Sequence, residues 1–443
     1  MEERERRILL VSYYFPPLGG VGAFRAVKLA GWLPRFGWRP SVLTVRAGAY
    51  YCIDPTLERQ IPPETAVVHA ESLDPFRLFG RLRRPAASSA PPRAAAAARE
   101  PLFGRLARRL KAVNPWLSLP DNKAGWYPFA VREGKRFVRR ESIDLIYTIN
   151  VPHTSHLIGR AIHRATGVPW VADFRDSWSD NYDLLPPTAF HRAWNRRMEA
   201  SVLDEANGVT AVNDRIRELL LRGRPERADR FVVVHNGYDP EDFAPGPPPP
   251  RSGADRFTMV FVGTFHRRTD PGLLLEPYRD CLRSGRIPAG ASRIVIVGAQ
   301  TGRTAETVRR LGLEGEVELT GFLPHRESVA RMAAADLLLQ VIADGPGADQ
   351  IVSGKLYEYM AAGRPVLGIG PEGEARAMVR RLRLGSWADV NRPDHVAAAI
   401  AGAYEAHRSG GVPYDPDREG IEEMSFPRQT GKLDRFLRSI LDS

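Results

Sequence analysis

Residues Gln350 to Ile369, QIVSGKLYEYMAAGRPVLGI, place a lysine, a carboxylate and a small-residue turn at a spacing that could grip a phosphorylated ligand. Lys355 and Glu358 are three apart, so on a helix they share one face. Ser353 and Gly354 come just before, and a helix opening there leaves backbone N–H groups without intrahelical acceptors. Such an end beside a lysine suits an anion such as a diphosphate, and a carboxylate one turn further on suits a ribose diol. The plainer alternative is a surface ion pair worth roughly a few tenths of a kcal/mol. A second concentration of chemistry is His153 and His156, followed after one apolar run by Asp173, Arg175 and Asp176. A third is the turn FPPLGGVG, where Gly19, Gly20 and Gly22 would let a phosphate or sugar approach the backbone. It could equally be only a tight turn, and its spacing does not give the G-x-G-x-x-G of a dinucleotide site.

The flanking pattern says how these residues are held. Ser353 reads as an N-cap, Gly363 as a left-handed helix end, and Pro365 to Ile369 as a strand. Apolar runs at Ile8–Ser12, Ser41–Val45, Ile143–Thr148, Trp170–Phe174, Gly208–Ala211 and Phe231–His235 read as strands. Helices follow Gly22 and the turn at Pro152, and another runs from Asn213 to Leu220. The second half repeats this grammar, with strands at Phe257–Val262, Arg293–Val297, Val317–Thr320 and Leu337–Val341 and a helix at Val329–Ala335. Strand followed by helix, repeated, predicts parallel sheets whose strand ends share one edge, and ligands sit at that edge.

The segment around Glu358 resembles the donor site of the family-four glycosyltransferases of GT-B fold, in which a Glu before Tyr-Met-Ala-Ala-Gly-x-Pro-Val holds the ribose of a nucleotide sugar. The resemblance extends over nearly the whole chain, through Phe15 to Arg25, Val171 to Trp178, His235 to Phe243, Val262 to Arg268 and Gly321 to Pro324. It implies a diphosphate held by Lys355 with Arg267 or Arg268, and a base near Gly321 and Leu323. Many relatives have a second glutamate where this chain has Gln350, an uncharged amide. Others have a Phe-His pair where this chain has Phe174-Arg175, so that histidine is not carried over. The Asp-Phe-Arg-Asp variant is similar to a subset of the family. For it the expectation is Asp176 on the acceptor hydroxyl or sugar, Arg175 on a phosphate or locking that carboxylate, Asp173 beside them, and His153 as acceptor base. A structural Asp-Arg pair and a merely polar His153 are the alternatives.

Composition bounds these readings. A chain of 443 residues with 43% hydrophobic content exceeds one ordinary core. The expected division is an acceptor-side domain at 1–243, a proline-rich linker at 244–253, a nucleotide-sugar domain at 254–425 and a final helix at 426–443 that the resemblance sends back to the first domain. Two cysteines, Cys52 and Cys281, far apart, argue against a disulfide framework and fit a reducing cytoplasm. The N-terminus has no signal-peptide core, and no apolar run approaches the 18 or so residues of a membrane span. A formal charge of +11 favours anionic partners, and no nucleic-acid motif accompanies it. Residues 76–117 stand apart: Ala/Pro-rich at the centre, with Phe, Leu and Arg at helical spacing on both flanks, as on membrane-surface helices. A solvated basic insertion is the alternative. Asp415 and Asp417 around Pro416 form the one Asp-x-Asp pattern and read as a turn, so no metal is demanded.

Together these imply an α/β protein of two Rossmann-like domains facing across a cleft. It would transfer a sugar, with retention, from a UDP- or GDP-sugar to a glycan or lipid-linked acceptor in bacterial surface or exopolysaccharide synthesis. It would need no cofactor and would work in the cytoplasm, at most peripheral to the inner face of the membrane. A nucleotide-sugar epimerase of the same fold and a non-catalytic sugar-nucleotide-binding scaffold are the rivals.

Overall fold

The computed structural model describes residues 5–19, 21–46, 57–73, 119–181, 187–243, 256–265, 269–299 and 302–443. The insertion at 76–117, the linker at 244–253, Cys52, Gly20, Arg267 and Arg268 lie outside them. The chain divides into two compact units, residues 1–234 with 430–443, and residues 235–429.

The first unit is built on a seven-stranded sheet of β1 (Arg6–Val11), β2 (Trp38–Val45), β3 (Ala66–Ala70), β4 (Leu145–Ile149), β5 (Trp170–Phe174), β6 (Gly208–Ala211) and β7 (Phe231–Val233). The order is β3-β2-β1-β4-β5-β6-β7, and every pairing is parallel. Its connecting helices include α1 (Val21–Trp32), α2 (Tyr127–Glu141), α3 (Thr154–Thr166), α4 (Ala189–Glu205) and α5 (Asp214–Leu221). Central strands such as LIYTI and WVADF are buried along their whole length, as parallel strands covered on both faces must be. The strand order reverses between β1 and β4, so the carboxyl ends of those two strands mark the switch point where a ligand fits.

The second unit has six parallel strands, β8 (Phe257–Val262), β9 (Ser292–Val297), β10 (Val317–Gly321), β11 (Leu337–Val341), β12 (Val366–Gly370) and β13 (Gly385–Asp389), in the order β10-β9-β8-β11-β12-β13. Its helices are α6 (Gly272–Arg283), α7 (Gly302–Leu311), α8 (His325–Ala333), α9 (Gly354–Ala362), α10 (Glu374–Arg381), α11 (Pro393–Arg408) and α12 (Arg418–Glu423), and α13 (Phe426–Leu441) ends the chain. Here the switch point lies between β8 and β11.

The division falls at Val234/His235, nine residues ahead of the boundary expected from composition. The reason is backbone stitching. The His235 N–H donates to the Gln429 side chain at 2.8 Å, Tyr238 bridges Ser425, and a Cβ on Gly237 would strike the Met424 carbonyl. Residues 430–443 return to the first unit, as expected. Leu433 and Leu437 are fully buried among Ile8, Leu10 and Leu145, the Trp38 indole donates to Asp434 at 2.7 Å, and Arg438 donates to the Phe36 carbonyl at 2.8 Å. Among the described residues no helix is long and apolar enough to cross a membrane.

Leu437→Ala is expected to destabilise the first unit by about 2–5 kcal/mol through the cavity it leaves. Chemical denaturation followed by tryptophan fluorescence checks this.

Candidate functional site

In the second unit the turn before α9 forms as its residues dictate. Ser353 caps the helix, its hydroxyl accepting from the Lys355 N–H at 3.3 Å, and Gly363 closes it at φ 66°. Lys355 Nζ lies 3.1 and 3.0 Å from the two oxygens of Glu358, and the Glu358 side chain is only 12% exposed. The two residues expected to hold diphosphate and ribose thus hold one another. Gln350 is buried just upstream in the short helix Ala348–Gln350. Gly373, the cap of α10, packs so closely on Asp349 that a Cβ would lie 2.6 Å from its Cα.

Tyr359 is buried in the core with Leu356 and Met360 and also makes hydrogen bonds there. Its hydroxyl accepts from the Val262 N–H at 2.9 Å and donates to the Leu339 carbonyl at 3.1 Å. One buried phenol therefore fixes α9 to the carboxyl end of β8 and the middle of β11, the strands that flank the switch point. Burial raises its pKa, so the hydroxyl keeps its proton.

Beside this point three strand ends carry glycines with positive φ: Gly263, Gly298 and Gly321, after β8, β9 and β10. The Gly298 N–H donates to the Gly321 carbonyl at 3.0 Å, and a Cβ on Gly298 would fall onto the Gly263 carbonyl. No side chain fits at Gly298, because the ends of β8 and β9 pack backbone on backbone there. Leu323 is half-buried against the core, while the neighbouring Phe322 is 77% exposed.

In the first unit the residues after β4 and β5 are joined through Asn150, a residue the sequence did not single out. Its fully buried amide oxygen accepts from the Arg175 N–H at 2.7 Å and the Asp176 N–H at 3.4 Å. Its NH2 group donates to the Asp176 carbonyl at 2.8 Å and lies 3.3 Å from His153 Nδ1. The backbone N–H groups fix which end of the amide is oxygen, so His153 Nδ1 must accept. The proton then sits on Nε2, which is buried without a partner. His153 is therefore a buried N–H donor stacked on Trp178 at 4.7 Å, and the role of acceptor base does not suit it.

The expectation for Asp173 is likewise corrected. It is fully buried, and its two oxygens take Arg25 Nε at 2.7 Å and Nη2 at 2.8 Å, with the Thr210 hydroxyl at 2.6 Å. Arg25 also donates to the Val234 carbonyl at 3.1 Å. Burial alone would lower the Arg25 pKa, but the adjoining Asp173 carboxylate reverses this and raises it. No oxygen of Asp173 is left for a substrate, and the pair is an internal clamp between α1 and β5. Arg175 donates to the Gly22 carbonyl at 3.0 Å, so it ties the loop after β5 to the start of α1. Asp176 is half-buried and Gly19 buried at the same strand edge. His156, fully buried, pairs with the Thr148 hydroxyl at 2.8 Å. Asp121 caps α3, accepting from the Thr154 N–H at 2.9 Å and its hydroxyl at 2.8 Å. Asp417 caps α12, accepting from the Gly420 N–H at 3.0 Å, which makes the Asp-x-Asp pattern a turn.

The comparisons with known proteins agree with the fold. Residues 18–242 match the model of glycosyltransferase family 4, and residues 256–406 match that of glycosyl transferases group 1. The chain belongs to this family and is a glycosyltransferase. Sucrose-phosphate synthase from Thermosynechococcus elongatus superposes with a TM-score of 0.67 at 18% identity, covering 98% of this chain and 99% of that one. Anabaena HepE, solved with UDP and glucose, gives 0.66 at 17% identity over 98% and 100% of the two chains. The apo form of the lipopolysaccharide outer core galactosyltransferase WaaB gives 0.58 at 15% identity over 98% and 99%. No curated protein matches the chain in sequence.

Burial of its neutral ring lowers the His156 pKa to about 3, and burial with the neighbouring His156 holds His153 well below 6.5. Below about pH 6.5 the unfolded chain takes up protons that the folded state refuses, so stability falls by about 1.4 kcal/mol per pH unit for each histidine. Asp121 and Glu199, raised by burial, offset this nearer the carboxylate range. Urea titrations between neutral and mildly acid pH should show the slope, reduced in His153→Gln. Arg25→Met leaves a buried carboxylate unpaired and should cost about 3–5 kcal/mol, whereas Arg25→Met with Asp173→Leu should cost much less.

Proposed function

We propose that the chain moves a sugar, with retention of configuration, from a UDP- or GDP-sugar bound on the second unit to a lipid-linked or glycan acceptor bound on the first. The bacterial synthesis of surface polysaccharide is the setting, at the cytoplasmic face of the membrane. The supporting observation is the placing of Lys355. A cation in the first turn of a helix stands where the backbone dipole repels it, and lysine ahead of glutamate is the weaker order for such a pair. A local rule broken at a switch point marks a ligand site. Glu358 is nearly buried and Lys355 partly exposed, so a ligand that satisfies both groups can part the pair without leaving either charge unmatched. Diphosphate oxygens then replace the carboxylate at Lys355, and ribose hydroxyls replace the ammonium at Glu358.

As the bond to the sugar breaks, charge grows on the β-phosphate. Lys355 and the backbone amides opening α9 stabilise it, with Arg267 or Arg268 adding charge, and no metal is needed. The glycine edge at Gly263, Gly298 and Gly321 lets the nucleotide lie against backbone. HepE, solved with UDP and glucose, and WaaB, named for lipopolysaccharide outer core, support the donor class and the setting. On this reading Asp176, held by Asn150, faces the acceptor on the first unit, and the Asp-Phe-Arg-Asp stretch supports membership of the family subset that carries it.

Thermal shift against a panel of nucleotide sugars should show a rise for the true donor. Glu358→Ala and Lys355→Ala should each weaken donor binding about tenfold or more, and Lys355→Ala should slow transfer by about a hundredfold or more. Turnover unchanged in Glu358→Ala would remove the donor assignment.

A further inference from the structure

Helix α4 presents a surface that the donor and acceptor chemistry does not use. Among the described residues the largest exposed apolar side chains are Leu73, Phe190, Trp194 and Phe322, and two of these four are neighbours on this one helix. Phe190 is 61% exposed and Trp194 45%, with their rings stacked 5.8 Å apart. They stand four apart, so they share a face, and Arg197 lies beside them one further turn along. Arg192 and Arg196, also exposed, continue the outer face. Among the described residues none of the three arginines enters an ion pair, and no acidic residue falls between Ala189 and Met198.

The opposite face of the same turns is tied inward. Thr188 caps the helix, its hydroxyl accepting from the His191 N–H, and His191 and Asn195 are buried. Asn195 Oδ1 accepts from the Trp178 indole at 3.1 Å, and Trp178 stacks on His153. Because α4 leaves the carboxyl end of β5, its first turns stand at the strand edge that carries Asn150 and Asp176.

We propose that this aromatic and arginine face of α4 docks on an anionic lipid bilayer, seating Phe190 and Trp194 among the headgroups. Aromatic rings flanked by cations are the composition an interfacial helix needs, because rings favour the headgroup layer and arginines favour anionic lipid. The unpaired positive charge selects a negative surface over an apolar protein partner, and the chain's net charge of +11 has the same sign. The consequence deepens the proposed function and rests on its lipid-linked acceptor. One turn of helix would join the bilayer, through Trp194, to the acceptor loop, through Asn195 and Trp178, and so set the height of that loop above the membrane.

Sedimentation with phosphatidylcholine vesicles, with and without phosphatidylglycerol, tests the surface using the full chain. The wild type should bind only the phosphatidylglycerol vesicles. Phe190→Ser with Trp194→Ser should weaken that binding by about tenfold or more, and Arg192→Gln with Arg196→Gln and Arg197→Gln by a similar factor. Brominated lipid should quench Trp194 fluorescence, a signal lost in Trp194→Phe while binding persists. Vesicle binding equal to wild type in both multiple variants overturns the proposal. So does a change from dimer to monomer in the aromatic variant with vesicle binding unaltered, which would assign the face to a second copy of the chain. Binding of UDP or GDP by calorimetry should be unchanged throughout. A wild type that binds vesicles but neither UDP nor GDP would sink the proposed donor and leave the docking surface standing.

Discussion

Parallel strand pairing is the constraint on which both units depend. Every described strand pairs parallel to its neighbours, so each connection must cross back over the sheet and each strand must end on the same edge as the next. Chemistry is thereby concentrated without any residue being close in sequence. Asn150 meets Arg175 and Asp176 because β4 and β5 are adjacent, and Gly263, Gly298 and Gly321 meet because β8, β9 and β10 are. The single tyrosine that bonds to both β8 and β11 shows how tightly the edge constrains a helix placed on it.

Within the first unit the buried Arg25–Asp173 pair makes that edge rigid. Two charges taken out of water are costly unless each is fully bonded, and here Asp173 accepts three hydrogen bonds while Arg25 reaches a backbone carbonyl as well. The pair links α1, β5, β6 and the end of β7. Arg175 extends the same network to Gly22. What looked from its spacing like a cluster of reacting groups is therefore two layers, an inner one of saturated ions and an outer one with Asp176. On the proposed reading, that rigid inner layer is what lets the loop hold a group to within a fraction of an ångström of an acceptor.

Much of the fold was legible because buried parallel strands are short apolar runs bounded by polar or glycine residues. Trp170–Phe174, Gly208–Ala211, Phe257–Val262 and Leu337–Val341 follow the sequence pattern residue for residue. The edge strands β3 and β13 did not stand out, since AVVHA and GSWAD are half exposed and carry no such run. The turn before α9 was legible down to its cap because Ser-Gly and a terminal Gly act locally. Asn150, the hydrogen bonds of Tyr359 and the state of His153 were not, since an amide or a phenol acquires its role only from partners 20 or more residues away, such as Leu339 for Tyr359. The pairing of Asp173 with Arg25, 148 positions apart, was hidden for the same reason.

On the proposed reading, the Lys355–Glu358 contact gives the donor site a selectivity of its own. While the two side chains neutralise each other, an inorganic phosphate that draws the ammonium away strands a nearly buried carboxylate, and a free sugar that engages the carboxylate strands the ammonium. Only a molecule that carries anion and vicinal hydroxyls at the right separation satisfies both at once. On the proposed reading, the abundant small anions of a cell are rejected by the same two residues that welcome a nucleotide, and no gate is required to keep them out.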